Sequence, residues 1–135
     1  MRMIISPEES MQLPLHDARI VGLNIVSAED GYLNVLIEAD ISPGELFEPF
    51  KKLGINGPKV CFIFSDCWQV ATNLNGWCVG FEVISTYSII EPSELKQELR
   101  SLGVGSATMI HYRIQGSHGS QLDFVAEILS IAERI

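Results

Sequence analysis

The residues of this chain that could do chemistry are its histidines, its cysteines and a few carboxylates set among apolar neighbours. The histidines are His16, His111 and His118. No two of them have the i, i+4 spacing of a helical zinc site, or the two-residue spacing that puts a pair on one strand face. No metal site is expected on these grounds. Cys61, Cys67 and Cys78 show no local nucleophile signature. A reactive thiol needs neighbouring positive charge, and no cation stands beside any of the three. Cys61 lies within the apolar run Val60 to Phe64 and reads as a small hydrophobe.

Asp66 is the carboxylate whose placement matters most. It interrupts the apolar series Phe62, Phe64, Trp68 and Val70. A carboxylate there must be paired or hydrogen-bonded. Either it binds backbone N–H groups at a bend before Cys67, or it faces a pocket rimmed by Trp68 and Trp77, with His111 nearby. No second carboxylate is spaced to share acid–base work with it. His16-Asp17 sits where the chain enters a strand, so Asp17 reads as a turn cap within reach of Arg19. Gly116-Ser117-His118-Gly119-Ser120 could offer N–H groups to an anion. Phosphate loops feed a helix N-terminus, whereas this loop feeds a strand, so a hairpin turn is the better reading. No catalytic residue and no cofactor site is assigned.

The elements that must position these residues are mostly strands. From Tyr32 to Ile41 the chain alternates, with Leu33, Val35, Ile37, Ala39 and Ile41 on one face. A period of two is the mark of a half-buried strand. Val21, Leu23 and Ile25 form the preceding strand, with Gly22 as a bulge or close backbone approach. Ala28-Glu29-Asp30-Gly31 joins the two as a hairpin. Residues 1–14 read as a loose lead-in broken by Pro7 and Pro14. Glu45 to Leu53 reads equally as a short helix or a broken turn around Pro49.

Lys59 to Leu74 is a long strand or strand pair with two apolar faces. Asn75-Gly76 marks a turn into a strand from Trp77 to Ile90. About 92–102 is the one convincing helix, with Pro92 in its first turn, Leu95, Leu99 and Leu102 as its stripe, and Gly103 at C′. Ala107 to Gln115 and Gln121 to Ile131 form a second hairpin. On the latter, Leu122, Phe124, Ala126 and Ile128 share one face, and Val125, Leu129 and Ile131 the other.

The expected fold is mainly β (α+β). It is one domain over residues 1–135, an antiparallel sheet forming a sandwich or partly open barrel, with one helix across a side or end.

At 135 residues, 47% hydrophobic and 19% charged, the composition is that of an ordinary globular domain with room for one core. No apolar run approaches a membrane span, and the first residues lack the apolar core of a signal peptide. The odd cysteine count without framework spacing points to reduced thiols and a cytoplasmic setting. The net charge is −8, with nine acids against two bases in residues 1–50. An acidic surface repels phosphate backbones, so nucleic acid is not an expected partner. A negative surface suits a basic protein, although the same charge also serves solubility alone.

LHDARIVGLNI, followed by an alternating strand, resembles the FHDA-type opening of small uncharacterised bacterial β-rich domains. CFIFSDCWQVATNLNG and HYRIQGSHGSQLDFVAEILSI are similar to the middle and end of those domains. Some of them resemble immunity proteins of polymorphic toxin systems. The resemblance spans about Leu15 to Ile131. It implies a cytosolic binding protein without enzymatic activity, with His16, Asp17, Asp66 and the Gly116–Gly119 loop as fold signatures. It transfers no catalytic residue, and the cysteines of the middle depart from it.

Three functions remain as expectations. The first is a non-enzymatic protein-binding domain, an immunity protein in the reading the resemblance implies, contacting a basic partner through Glu29, Asp30, Glu38 and Asp40. The second is a small-ligand-binding or enzymatic domain with a pocket near Asp66, Trp68, Trp77 and His111. The third is a structural homodimer formed through a sheet edge.

Overall fold

A computed structural model describes residues 2–41, 47–55, 59–74 and 82–133. Trp77, Cys78 and the Asn75-Gly76 turn lie outside the described residues. The strands are β1 (Arg2–Ile5), β2 (Arg19–Ser27), β3 (Leu33–Asp40), β4 (Lys59–Asn73), β5 (Glu82–Ile89), β6 (Ile110–Gly116) and β7 (Gln121–Glu133). The helices are α1 (Pro7–Ser10), α2 (Glu48–Leu53) and α3 (Glu94–Ser101). Among the described residues, no helix is long and apolar enough to cross a membrane.

All strand pairings are antiparallel and belong to one sheet. The order is β1-β7-β4-β3-β2-β5-β6, and β6 also pairs with β7. Followed from β7 through β4, β3, β2, β5 and β6, the pairings return to β7. The sheet therefore closes into a barrel, and β1 continues the wall beside the later half of β7. Among the described residues the β2–β5 seam is the shortest, with Arg19 opposite Val83 and Ile20 opposite Glu82. Backbone bonds from Asp17 N to Ile84 O (2.9 Å) and from Ile84 N to Ala18 O (2.8 Å) extend it.

The alternation of β3 holds: Val35, Ile37, Ala39 and Ile41 are all buried in the core. Gly22 also behaves as its sequence suggests. The β2–β3 register shifts between Ile20 and Gly22, and a Cβ on Gly22 would stand 3.0 Å from Glu38 Oε2. Inside the barrel, Phe62, Phe64, Phe124 and Tyr112 are all buried. The Phe64 ring lies 4.4 Å from Phe124 and 4.9 Å from Tyr112, both edge-on, an arrangement that aromatic quadrupoles favour.

Two strands depart from simple alternation. On β4, Asp66 takes φ 55° and the register to β3 shifts between Leu33 and Val35. This bulge resets the faces, because an inserted residue exchanges inside for outside. Cys67 takes the inward place, and Asp66 and Trp68 turn away from the core. On β7, Leu122, Phe124 and Ala126 point inward, but the inward series resumes at Leu129 and Ile131 rather than at Ile128.

The first fourteen residues are more ordered than a lead-in. Arg2–Ile5 pair with Leu129–Ala132, and Ser6 caps α1 through a capping box with Glu9. Pro7 begins that helix rather than breaking it. Pro49 likewise falls in the first turn of α2, which settles the open alternative there as a short helix, so among the described residues the fold carries three short helices where only α3 was expected outright.

Helix α3 starts later than its proline suggests. Ser93 is the N-cap, its side chain accepting from Lys96 N–H, and Pro92 stands before the cap. The helix ends in a Schellman motif, with Gly103 N bonded to Arg100 O and Val104 N to Leu99 O. Gly103 occupies C′ at φ 75°, and Leu102, the third residue of the expected stripe, is 76% exposed.

Candidate functional site

The groups capable of chemistry gather on the outer wall of the barrel, beneath α3. Alternation on β6 and β7 sends Tyr112, Ile114, Leu122 and Phe124 inward, and His111, Arg113, Asp123, Val125 and Glu127 outward. Leu99 of α3 then packs on Met109 and Val125, with Leu95 and Trp68 against them. This second apolar cluster holds the helix over two polar networks.

The first network runs through Ser93, His111 and Asp123. Ser93 Oγ lies 2.7 Å from His111 Nδ1, and His111 Nε2 lies 2.7 Å from Asp123 Oδ1. Arg113 Nε donates to the same Oδ1 at 2.8 Å, and Gln121 Nε2 donates to Oδ2 at 2.6 Å. Because Ser93 Oγ already accepts from Lys96 N–H, one assignment satisfies every atom. Its hydroxyl donates to Nδ1, and the imidazole donates Nε2–H to Asp123. Burial pushes the Asp123 pKa up, but the bonds from Arg113, His111 and Gln121 and the Arg113 charge outweigh it. The carboxyl is held below the usual range.

Glu127 centres the second network. It accepts from Trp68 Nε1 at 2.8 Å, from Thr108 Oγ1 at 2.7 Å and from Ser106 Oγ. Burial raises its pKa, and these three donors together bring it below the usual value.

A serine, histidine and aspartate in hydrogen-bonded series is the constellation of a hydrolase. Here the serine oxygen is spent on the helix cap, Ser93 is 2% exposed, and the aspartate is shared with Arg113 and Gln121. The series works as a strut that fastens α3 to β6 and β7. Cys67 offers no better nucleophile. Burial drives the Cys67 pKa up to about 12, against a lowering backbone bond from Val35 and with a raising contribution from Asp66. Among the described residues, no group of three or more histidine, cysteine or carboxylate side chains could hold a metal ion.

Beside the strut, a cleft of about 290 Å³ opens between α3 and β6. Ile90, Pro92 and Leu95 form its apolar lining, Glu94, Glu98 and Arg113 its charged lining, and His111 a buried part of its wall.

The residues singled out in the sequence scatter. Asp66 lies on the β4 bulge, where its backbone N–H donates to Asn34 Oδ1 at 3.3 Å. Trp68 is tied to Glu127 and lies edge-on to Tyr32. His111 lines the α3–β6 cleft, which neither Asp66 nor Trp68 lines. Trp77 lies outside the described residues. Glu29 and Asp30 sit exposed at the β2–β3 turn, Asp30 accepting from Tyr32 N–H. At the other end of the hairpin, the Glu38 carboxylate covers Gly22, and Asp40 lies 3.6 Å from Arg19. His16 Nδ1 reaches Ser85 O at 2.9 Å, and Asp17 adopts φ 65°. Ser93, Asp123 and Glu127 are the contributors that sequence reading missed. Arg113 and Asp123 stand opposite each other across the second hairpin, so the hairpin register alone could have paired them.

The low pKa values of Asp123 and Glu127 fix the sign of an acid effect. A carboxyl whose pKa is lower folded than unfolded contributes stability above its unfolded value, and loses it as pH falls through the folded value. The urea midpoint is expected to be flat from about pH 7 to pH 5 and to fall below about pH 4, where ordinary carboxyls titrate. Asp123→Asn should shallow that fall; an unchanged acid profile in this variant would count against the assignment.

No protein-family model, curated protein or solved structure matches this chain.

Proposed function

We propose that this chain is a non-enzymatic protein-binding domain whose β2–β3 hairpin takes a basic partner. The observation that carries this reading is the far end of the hairpin. Residues from Asn24 to Ser27 are exposed on both faces of β2, and among the described residues this end of β2 pairs only with β3, which itself lies in the barrel wall against β4. Ile25 and Val26 are 43% and 45% exposed there, beside the exposed acids Glu29 and Asp30. Apolar side chains rimmed by like charges are what a protein interface presents. No lysine or arginine occurs between Arg19 and Lys51, so the hairpin end itself contributes acids and no base. Such a field speeds encounter with a basic protein and discriminates against acidic ones. A cytoplasmic toxin-neutralising role is one instance of this reading. The internal use of Ser93, His111 and Asp123 supports binding over catalysis.

The test is affinity capture of the tagged protein from its native lysate at low and raised salt. A basic protein recovered by the parent chain and lost as salt rises is expected. The double variant Glu29→Lys, Asp30→Lys should slow its association by on the order of tenfold, and Glu29→Lys alone, which spares the Asp30 bond to Tyr32 N–H, should slow it less while leaving the unfolding midpoint in place. Recovery of nothing, or equal recovery by the double variant, would remove the hairpin as a contact surface.

A further inference from the structure

The α3–β6 cleft holds charges of both signs that are not paired with each other. Arg113 commits Nε to Asp123. Among the described residues, its Nη groups have no hydrogen-bond acceptor, and the side chain is 34% exposed. A guanidinium end with open Nη groups is shaped for a two-point bond to a carboxylate. Glu94 and Glu98 are exposed and stand four residues apart, on one face of α3. The nearby Lys96 does not neutralise them, because its ammonium bonds Glu91 at 2.8 Å. Ile90, Pro92 and Leu95 supply the apolar part of the same cleft lining.

We propose that this cleft binds a zwitterionic small molecule, an α-amino acid with an apolar side chain. Its carboxylate would lie against the Arg113 Nη groups, its ammonium against Glu94 or Glu98, and its side chain on Ile90, Pro92 and Leu95. A purely anionic ligand meets two carboxylates, and a purely cationic one meets Arg113. A molecule carrying both charges satisfies both walls. The volume of about 290 Å³ lies at the small end of ligand sites, where a molecule the size of leucine fits. The site shares no element with the β2–β3 hairpin, so it stands or falls apart from the protein-binding reading.

The test is a titration of the full chain with L-leucine, read in amide nitrogen–proton spectra. 4-Methylpentanoate, which lacks the ammonium, and 3-methylbutylamine, which lacks the carboxylate, serve as parallel probes. Leucine is expected to shift resonances of residues 90–98 and 111–113 with millimolar affinity, and each analogue to bind at least about tenfold more weakly. The exposed pair Glu94→Gln, Glu98→Gln should weaken leucine to the level of 4-methylpentanoate with the remaining spectrum intact. Arg113→Met should weaken it to the level of 3-methylbutylamine. No shift in the cleft up to the solubility limit of leucine would overturn the proposal. So would equal binding by either analogue; 4-methylpentanoate binding as well as leucine would point instead to a peptide C-terminus.

Discussion

Replacing Asp123 with alanine is expected to destabilise the protein by about 2–4 kcal/mol, below the full cost of breaking a wholly buried ion pair because Arg113 keeps partial access to water. The Asp123 side chain is only 9% exposed and accepts from His111, Arg113 and Gln121. Its loss strands the His111 Nε2–H, on a side chain 3% exposed, and leaves the Arg113 charge without its counter-ion. The damage should pass through Ser93 into α3, because that hydroxyl both caps the helix and donates to His111. Asp123→Asn keeps the shape and one acceptor oxygen, so it should cost less than alanine. Urea unfolding followed by far-ultraviolet circular dichroism measures both. A loss under about 1 kcal/mol for alanine, the net worth of an ordinary hydrogen bond, would mean that the network does not hold the helix.

Phe64→Ala should cost a similar amount, about 3–5 kcal/mol, by a different route. The ring is fully buried and contacts Phe124 and Tyr112 across the barrel interior. Alanine would leave a cavity walled by strands whose backbone bonds resist collapse, so little of the lost contact can be recovered. Tyr112, whose pKa burial pushes up to about 12, would gain room for water, and that value should fall toward the ordinary one. Tyrosine absorbance against pH reads this change directly, and calorimetry reads the stability. Retention of the parental Tm would show that the interior is not packed around this ring.

Much of the barrel wall was legible because it follows a period of two. The β2–β3 hairpin, the Gly22 bulge and the Gly103 cap each rest on a local rule of side-chain direction or backbone freedom, and each stands as read. The faces of β4 past Phe64 were not legible. Asp66 opens a bulge there, and nothing in a single strand shows that its partner skips a residue. The same limit hid the inward turn of Leu129. In the first fourteen residues Pro7 and Pro14 read as breakers, although Ser6, Pro7 and Glu9 together spell a helix start. The candidate site was half visible. His111 drew notice by residue type, but its partners Ser93 and Asp123 come from other elements, and only closure of β6 on β7 with α3 across them brings the three together.

Strand β7 has consequences for how the molecule comes into being. It pairs with β4 on one side and with β6 and β1 on the other, and Arg2 finds its partner at Ala132. On the ribosome, β1, β4 and β6 are all made before the strand that joins them. Until β7 emerges, no ring can close and the interior around Phe62 and Phe64 stays open to water. Contacts so distant along the chain must wait for slow loop closure, which places folding toward the millisecond-to-second range of β-barrels. Until β7 is made, the nascent chain therefore exposes apolar strand faces, the state that chaperones recognise.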